Sequence, residues 1–523
     1  MTVTSDPPVE GAKLTRGQVV QALSGLMMGM FVAILASTVV ANALPRIVAD
    51  LEGSQSSYTW VVTTELLAMT ATVPLWGKLS DLYNKKLLIQ LSLGMFVIGS
   101  LVAGFSGDIG TLIASRVVQG VGAGGLTALA QVVMAAMVSP RELGRYMGIF
   151  GAVFAVGTVA GPLIGGVMVD TSWLGWRWCF FLGVPFAVAA ILLLQRTLKI
   201  PTVRRPGAKV DYLGAFLIML GVSTLLVWTT LAGHQFDWLS GWTFLLVGGG
   251  LLVLALAVWV ESRVAEPIVP LSIFGNRTVT LTTIVSFLVG VAMFGGTVFL
   301  SQYFQLSLGK SPTVAGLMSL PMIFGLLVSS TVSGQLISRT GKWKGHLVAG
   351  GVFMIAGFAL LATIDRGTSV FVLSVFMFVL GAGVGMLMQN LVLVAQNDVA
   401  AQDLGAATSV LSFFRSLGGT VGVSVLGAVL ANRVTSEITA HLGPLPGGSS
   451  TSAVPDLELL PEPVREVIRD AYGVATSEIF LYVLPFAALA ALVVLFIKQI
   501  PLKTQTATER LAEETAAVTP PPH

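Results

Sequence analysis

The sequence predicts an all-α integral membrane protein with fourteen transmembrane helices, built as two six-helix bundles and an inserted pair. Three observations predict it. The 523 residues are 54% hydrophobic and only 11% charged, where a soluble protein carries about 25% charged residues, and the mean hydropathy is +0.85. Apolar runs long enough to cross a bilayer recur along the whole chain; as helices they satisfy their backbone internally, which lipid demands. A loop pattern also repeats: Gly77-Lys-Leu-Ser-Asp-Leu-Tyr-Asn-Lys-Lys86 and Gly334-Gln-Leu-Ile-Ser-Arg-Thr-Gly-Lys-Trp-Lys344 both open Gly-x-Leu and close on basic residues. Internal repeats of this kind build many transporters, with the substrate site between the halves.

The spans are expected at about 17–43, 58–78, 87–105, 110–133, 144–168, 177–198, 210–232, 240–261, 278–303, 313–338, 345–364, 370–392, 405–431 and 478–500. The first run outlasts the apolar core of a signal peptide, and no clean small-residue cleavage site follows it, so it reads as a retained helix. The chain then divides at about 1–16 (tail), 17–198 (first bundle), 199–277 (inserted pair with linkers), 278–500 (second bundle, with an outer segment at 432–477) and 501–523 (tail). Of the 29 basic residues, twenty fall on the side of the termini and seven on the other. Both termini are therefore expected in the cytoplasm, and the chain in the plasma or inner membrane. The ends, about 1–12 and 503–523, are rich in Pro, Thr, Ala and Glu and are expected to be disordered. In the outer segment, a Gly/Pro/Ser stretch at 443–450 precedes 461–473, which reads as a short amphipathic helix ended by Gly473.

Glu65 lies inside the second span. A charge at bilayer depth costs roughly 2.5–3.5 kcal/mol on insertion scales, so it faces a cavity or a partner and marks a site. Arg116 in span 4 lies at a similar depth, roughly 10 Å below the outer end at 1.5 Å per residue. Thr38 and Asn42 of span 1 and Gln119 of span 4 reach the same layer. Arg415 falls within span 13, where no acid of the second bundle's spans pairs with it; a role in the cavity or gate is expected. Gln389, Asn390 and Gln396 on span 12 and Gln302 and Gln305 on span 9 offer neutral hydrogen bonds to a cavity. Met27, Met28, Met30, Met386 and Met388 offer an adaptable apolar wall. Gly157, Gly161 and Gly165 form one smooth stripe on span 5 that lets backbones approach closely, and Pro162 adds an expected kink. Asp81, Lys85 and Lys86 close span 2 at the cytoplasm.

Other classes find no support in the residues. The single cysteine, Cys179, excludes an internal disulfide and a multi-cysteine metal site, and no cofactor or nucleic-acid partner is implied. No soluble segment is large enough for a nucleotide-binding domain. Gly309-Lys-Ser311 imitates the end of a phosphate loop, but Phe304 occupies the place of its first glycine. There is no Gly-x-Ser-x-Gly and no His-Glu-x-x-His, so the chain is not expected to be an enzyme.

Several segments resemble the major facilitator superfamily, in its fourteen-helix drug:proton antiporter branch. Gly77-Lys-Leu-Ser-Asp81 with Lys85-Lys86 resembles its loop 2–3 signature, and Arg116-Val-Val-Gln-Gly-Val-Gly122 its fourth-helix motif. Gly157-Thr-Val-Ala-Gly-Pro-Leu-Ile-Gly-Gly166 resembles its antiporter motif. Trp176-Arg-Trp-Cys-Phe-Phe-Leu-Gly-Val-Pro185, the run from Gln302 to Pro321, and the run from Asp403 to Gly419 are similar to that branch. The resemblance covers about 17–500 of the chain. Two positions depart: Ala36 stands where the branch often has an acid, and Asn84 where the loop signature has glycine. Asn tolerates the left-handed backbone that such a turn uses.

The resemblance implies a monomeric proton-coupled antiporter that exports hydrophobic or amphipathic, cationic compounds by alternating access. Glu65 and Arg116 would couple the proton and meet a substrate cation. Gly77, Asp81, Lys85 and Lys86 would form a gate loop, and Gly157, Gly161, Pro162 and Gly165 an antiporter hinge. A proton-driven uptake symporter, or a dedicated exporter of one endogenous metabolite, stays open beside it.

Overall fold

The computed structural model describes residues 16–52, 55–171, 175–198, 210–232, 235–264, 266–442 and 461–510. The expected N-terminal tail, the Gly/Pro/Ser stretch and the last thirteen residues lie outside them. The described residues form sixteen α-helices, in order: α1 (Arg16–Asp50), α2 (Gln55–Leu82), α3 (Lys85–Gly104), α4 (Ile109–Met137), α5 (Pro140–Asp170), α6 (Trp178–Phe181), α7 (Gly183–Thr197), α8 (Tyr212–Leu231), α9 (Gly241–Glu261), α10 (Arg277–Gln302), α11 (Pro312–Met318), α12 (Leu320–Thr340), α13 (Lys344–Leu361), α14 (Val370–Asp398), α15 (Leu404–Leu442) and α16 (Glu462–Phe496). Twelve helical segments among the described residues are long and apolar enough to cross a membrane. The long helices α2 and α5 are not among the twelve, so the class is that of a multi-pass membrane protein while the count of fourteen is not fixed by length and composition.

The helix starts are written in the sequence. Asp108, Asp211, Ser240, Ser311 and Ser369 each cap the helix that follows, accepting a backbone N–H of its first turn. Asn84 does the same for α3, accepting from Lys86 N and Leu87 N with φ −63°. The expected left-handed turn at Asn84 is therefore replaced by an N-cap, for which an Asn side chain is equally suited. Gly341, with φ 72°, ends α12. Span 6 is divided into α6 and α7, and span 9 runs into a π-helical turn at Tyr303–Ser307.

Within the first part of the chain, α2 and α3 pack on α4, and α1 packs on α5 and α7. In the later part, α12 and α13 pack on α14, and α10 packs on α15 and α16. Helices α8 and α9 pack on each other, and Val222 and Leu226 of α8 meet Leu67 and Ala71 of α2. The outward side of α9, with Phe244, Leu251 and Leu252, is exposed; in a bilayer this face meets lipid tails. The two parts join where α5 lies on α12 and α2 on α15.

Two expectations at the chain's end are corrected. The segment 461–473 is not a separate helix ended by Gly473, because α16 runs unbroken through it to Phe496. A helix-interior glycine costs only about 1 kcal/mol relative to alanine, and here Arg366 pairs with Glu466 and Asp470, holding this stretch against the turn before α14. The second correction concerns residues 503–510, which are ordered and packed. Leu502 and Ala507 are buried in the main core, and residues 507–510 form a helical turn. Thr506 and Glu509 cap it reciprocally: Glu509 Oε2 accepts from Thr506 N at 2.7 Å, and Thr506 Oγ1 accepts from Glu509 N at 3.2 Å.

Candidate functional site

Glu65 and Arg116 meet as an ion pair between α2 and α4, each 2% exposed. The pair is held by a closed set of hydrogen bonds. Arg116 Nη2 donates to Glu65 Oε2, Nη1 to Gln119 Oε1 at 2.6 Å, and Nε to the Val61 carbonyl at 3.3 Å. Gln119 in turn donates to Ser100 Oγ at 3.0 Å, and Ser37 Oγ donates to Glu65 Oε2 at 3.4 Å. The Phe180 ring lies 5.8 Å from the guanidinium carbon. Three of the guanidinium nitrogens are thus engaged, as a buried charge requires. Removing one partner from such a pair costs roughly 3–5 kcal/mol, because the other charge stays buried and uncompensated.

The layer differs from the expected one on α1. Thr38 does not reach Glu65: its hydroxyl donates to Ile34 O and Leu35 O on its own helix and to Gly157 O of α5. Ser37, one residue earlier, takes its place. The side chain of Asn42 lies outside the described residues. Gly157 and Gly161 do face α1: a Cβ at Gly157 would stand 3.0 Å from Ile34, and one at Gly161 would meet Thr38. Gly165 is buried on the same helix, while the side chain of Pro162 lies outside the described residues; α5 runs through it without a break.

The repeated loops meet the opposite half in parallel ways. A Cβ at Gly77 would strike Ser409 and Gly405 of α15, and one at Gly334 would strike Gly144 of α5. Four residues after each glycine, a side chain accepts from the backbone of the helix across the seam. Asp81 Oδ1 and Oδ2 accept from Gly405 N and Ala406 N, both at 2.9 Å. Ser338 Oγ accepts from Arg145 N at 3.1 Å. At the start of α15 the free amides and the positive end of the helix dipole favour the Asp81 carboxylate. Lys86 Nζ donates to Gln195 O at 2.6 Å, away from the seam, and Lys78 pairs with Glu266 at 2.7 Å. Lys85 stands close enough to Asp81 to interact with its charge.

The polar residues expected in the second half separate into three groups. Gln302 and Gln305 lie at the end of α10 and in the π turn, where Gln305 donates to Ser301. Gly290 of α10 abuts the Arg415 carbonyl, so Gln302 is about 18 Å further along that helix at 1.5 Å per residue. These two do not share a layer with Arg415. Asn390 is spent on packing, donating to Ser333 Oγ at 3.1 Å and Met386 O at 2.7 Å. Gln389 is buried with neither side-chain polar atom bonded, and its stem lies beside Gly151 at the α5–α12 seam. Gln396 donates to Thr408 Oγ1 at 2.9 Å. Arg415 keeps accessible surface beside Phe413 and Phe414, and it has no ion pair among the described residues. An open apolar groove of about 790 Å³ lies between α5 and the α12–α14 pair, lined by Val156, Ala160, Leu320, Phe324 and Phe378 among others.

Residues 26–423 match the sequence model of the Major Facilitator Superfamily. The chain belongs to the Major Facilitator Superfamily. It is 32% identical over 528 residues to the multidrug transporter protein MdtP of Bacillus subtilis (strain 168), covering 95% of this chain and 96% of that one. It is 37% identical over 483 residues to the uncharacterized MFS-type transporter Rv1877 of Mycobacterium tuberculosis (strain ATCC 25618 / H37Rv), covering 92% of this chain and 69% of that protein. Among solved structures, the proton:xylose symporter XylE bound to 6-bromo-6-deoxy-D-glucose aligns with TM-score 0.61 at 14% identity, over 95% of this chain and 100% of XylE. This last likeness concerns the fold alone. The protein is a membrane transporter of this superfamily.

Proposed function

We propose that the chain is a proton-coupled antiporter that exports hydrophobic or amphipathic, cationic compounds by alternating access. The observation that carries this is the buried Glu65–Arg116 pair, an ionisable carboxylate placed inside the span region and balanced by one breakable partner. A proton reaching Glu65 cancels its charge and weakens its hold on Arg116, which keeps its bonds to Gln119 and the Val61 carbonyl. A substrate cation arriving when the proton leaves competes for the same carboxylate. Ser37 holds Glu65 to α1, and α1 meets α5 along Gly157 and Gly161, so the charge state of the pair bears on the helix contacts that must shift. The name of the relative MdtP, a multidrug transporter, supports transport of drug-like compounds, and the open apolar groove suits an apolar cargo.

In this reading both termini and the repeated loops are cytoplasmic, following the basic-residue asymmetry. Residues 17–198 and 278–500 are the two bundles, and α8–α9 are an insertion. Asp81 and Ser338 latch the cytoplasmic end of the seam shut, so the arrangement described is closed inward. Arg415, without an ion pair among the described residues, and Gln389, with unbonded side-chain polar atoms, are the second half's contribution to cargo binding. The test is transport by proteoliposomes under an imposed pH gradient with a panel of cationic and neutral amphiphiles. Extrusion against the proton gradient is expected. Accumulation in the direction of proton flow would replace export by uptake symport.

A further inference from the structure

We infer that residues 498–510 form a strap that fastens the two bundles together across the cytoplasmic end of the seam, and that it must release the first bundle before the inward-facing state can form. The strap rests on the alternating-access reading above. It follows α16 and so belongs covalently to the second half. Its hydrogen bonds to that half are dense. Trp343 Nε1, on a fully buried ring, donates to Ile500 O at 2.9 Å. Asn397 donates to Pro501 O at 3.1 Å and accepts from Lys503 N at 2.8 Å. Arg510 donates to Val399 O at 3.2 Å.

The strap then crosses to the first half. Arg141 N, at the start of α5, donates to Lys503 O at 3.2 Å. Thr508 Oγ1 donates to Ala136 O, in the last turn of α4, at 2.9 Å. On the first half, Arg141 N and Ala136 O are backbone groups at helix ends, which no intrahelical partner can satisfy. Leu502 and Ala507 are buried in the core beneath the strap. The Thr506–Glu509 capping box presents Thr508 on a formed turn rather than on a loose chain. Inward opening has to carry Ala136 and Arg141 away from Asn397 and Val399. Because α16 anchors the strap covalently to the second half, release occurs on the α4–α5 side.

The test reads the gate directly. Spin labels at Glu142→Cys and Lys342→Cys, both exposed and on opposite halves, are placed in the full chain in a Cys179→Ser background, and their distance distribution is measured in nanodiscs. Thr508→Val should raise the ratio of the long to the short distance roughly fivefold, the worth of one net hydrogen bond. Truncation after Ile500 should raise it further. Tying Ala136→Cys to Thr508→Cys with a short bifunctional thiol reagent should remove the long distance altogether. Unchanged distributions in Thr508→Val and in the truncated chain, or a long distance persisting in the cross-linked chain, would overturn the strap. The measurement needs neither a known cargo nor proton coupling. Failure here with intact proton-driven export removes the strap alone; a working strap in a chain that moves nothing under any gradient removes the exporter reading instead.

Discussion

Gly148→Ala is the sharpest perturbation of the seam. Gly148 of α5 faces α12, and a Cβ built there stands 2.6 Å from Thr331 Cα and 3.1 Å from Ser330 O, where ordinary contact begins at 3.4 Å. The nearest atoms are backbone, so no rotamer change relieves the clash; α5 and α12 must part by about 0.8 Å. Overpacking of this size costs about 1–3 kcal/mol, and only the closed seam bears it. The closed-to-open ratio should therefore fall by about five- to 150-fold, a factor of ten for each 1.4 kcal/mol. The Glu142–Lys342 spin-label pair reads that ratio. Gly345→Ala, on the neighbouring α13 with nothing within 4 Å of its Cβ, makes the same chemical change away from the seam and should leave the ratio alone. If Gly148→Ala shifts the ratio by less than twofold, the α5–α12 contact is not what closes the gate.

Asp81→Asn should weaken the inward-closed state more than Ser338→Ala does, since bonds to a charged acceptor are worth about 1.5–3 kcal/mol against about 1 for a neutral one; the same label pair ranks them, and equal shifts would contradict the latch. Arg116→Ala should lower stability by about 3–5 kcal/mol in thermal unfolding, and Glu65→Gln combined with Arg116→Gln by less, because the double change strands no charge; a double variant as unstable as the single would argue against a mutually dependent pair. In the turn before α14, Arg366 holds the Glu466 carboxyl below its ordinary 4.5 through their hydrogen bond. A lowered value means the pair's stabilisation is present above 4.5 and is lost as pH falls through the folded value. Hydrogen exchange across 461–473, corrected for intrinsic rates, should accelerate in acid, and Arg366→Ala should show the fast pattern already at neutral pH; no difference between the two proteins at neutral pH would remove the role given to this pair.

The helices and the central pair were legible because large penalties fix them. A glutamate and an arginine at like depth on neighbouring spans have few places to go, and Glu65 and Arg116 indeed meet. The repeat pointed to Gly77 and Gly334, and both lie at the seam. Finer placement was not legible, because it depends on helix rotation and neighbour choice. Ser37 rather than Thr38 reaches Glu65, a difference of one 100° step between two adjacent hydroxyl residues. Gln302 and Gln305 are polar residues of a span but sit at its end beside a π turn. Asn84 turned out to cap a helix, a role its side chain fills as readily as a left-handed turn. The ordered strap was hidden by composition: Thr, Lys and Gln around Leu502 and Ala507 read as a tail. Its one local mark was Thr506-x-x-Glu509, a capping pattern of only four residues.

Proton counting in proteoliposomes bears most directly on Glu65. With no imposed gradient, an internal pH dye should report protons moving opposite to an added transported cation in the wild-type chain. Glu65→Gln, folded by its unfolding curve, should show no cargo-dependent pH change. Equal proton movement in wild type and Glu65→Gln would contradict the account.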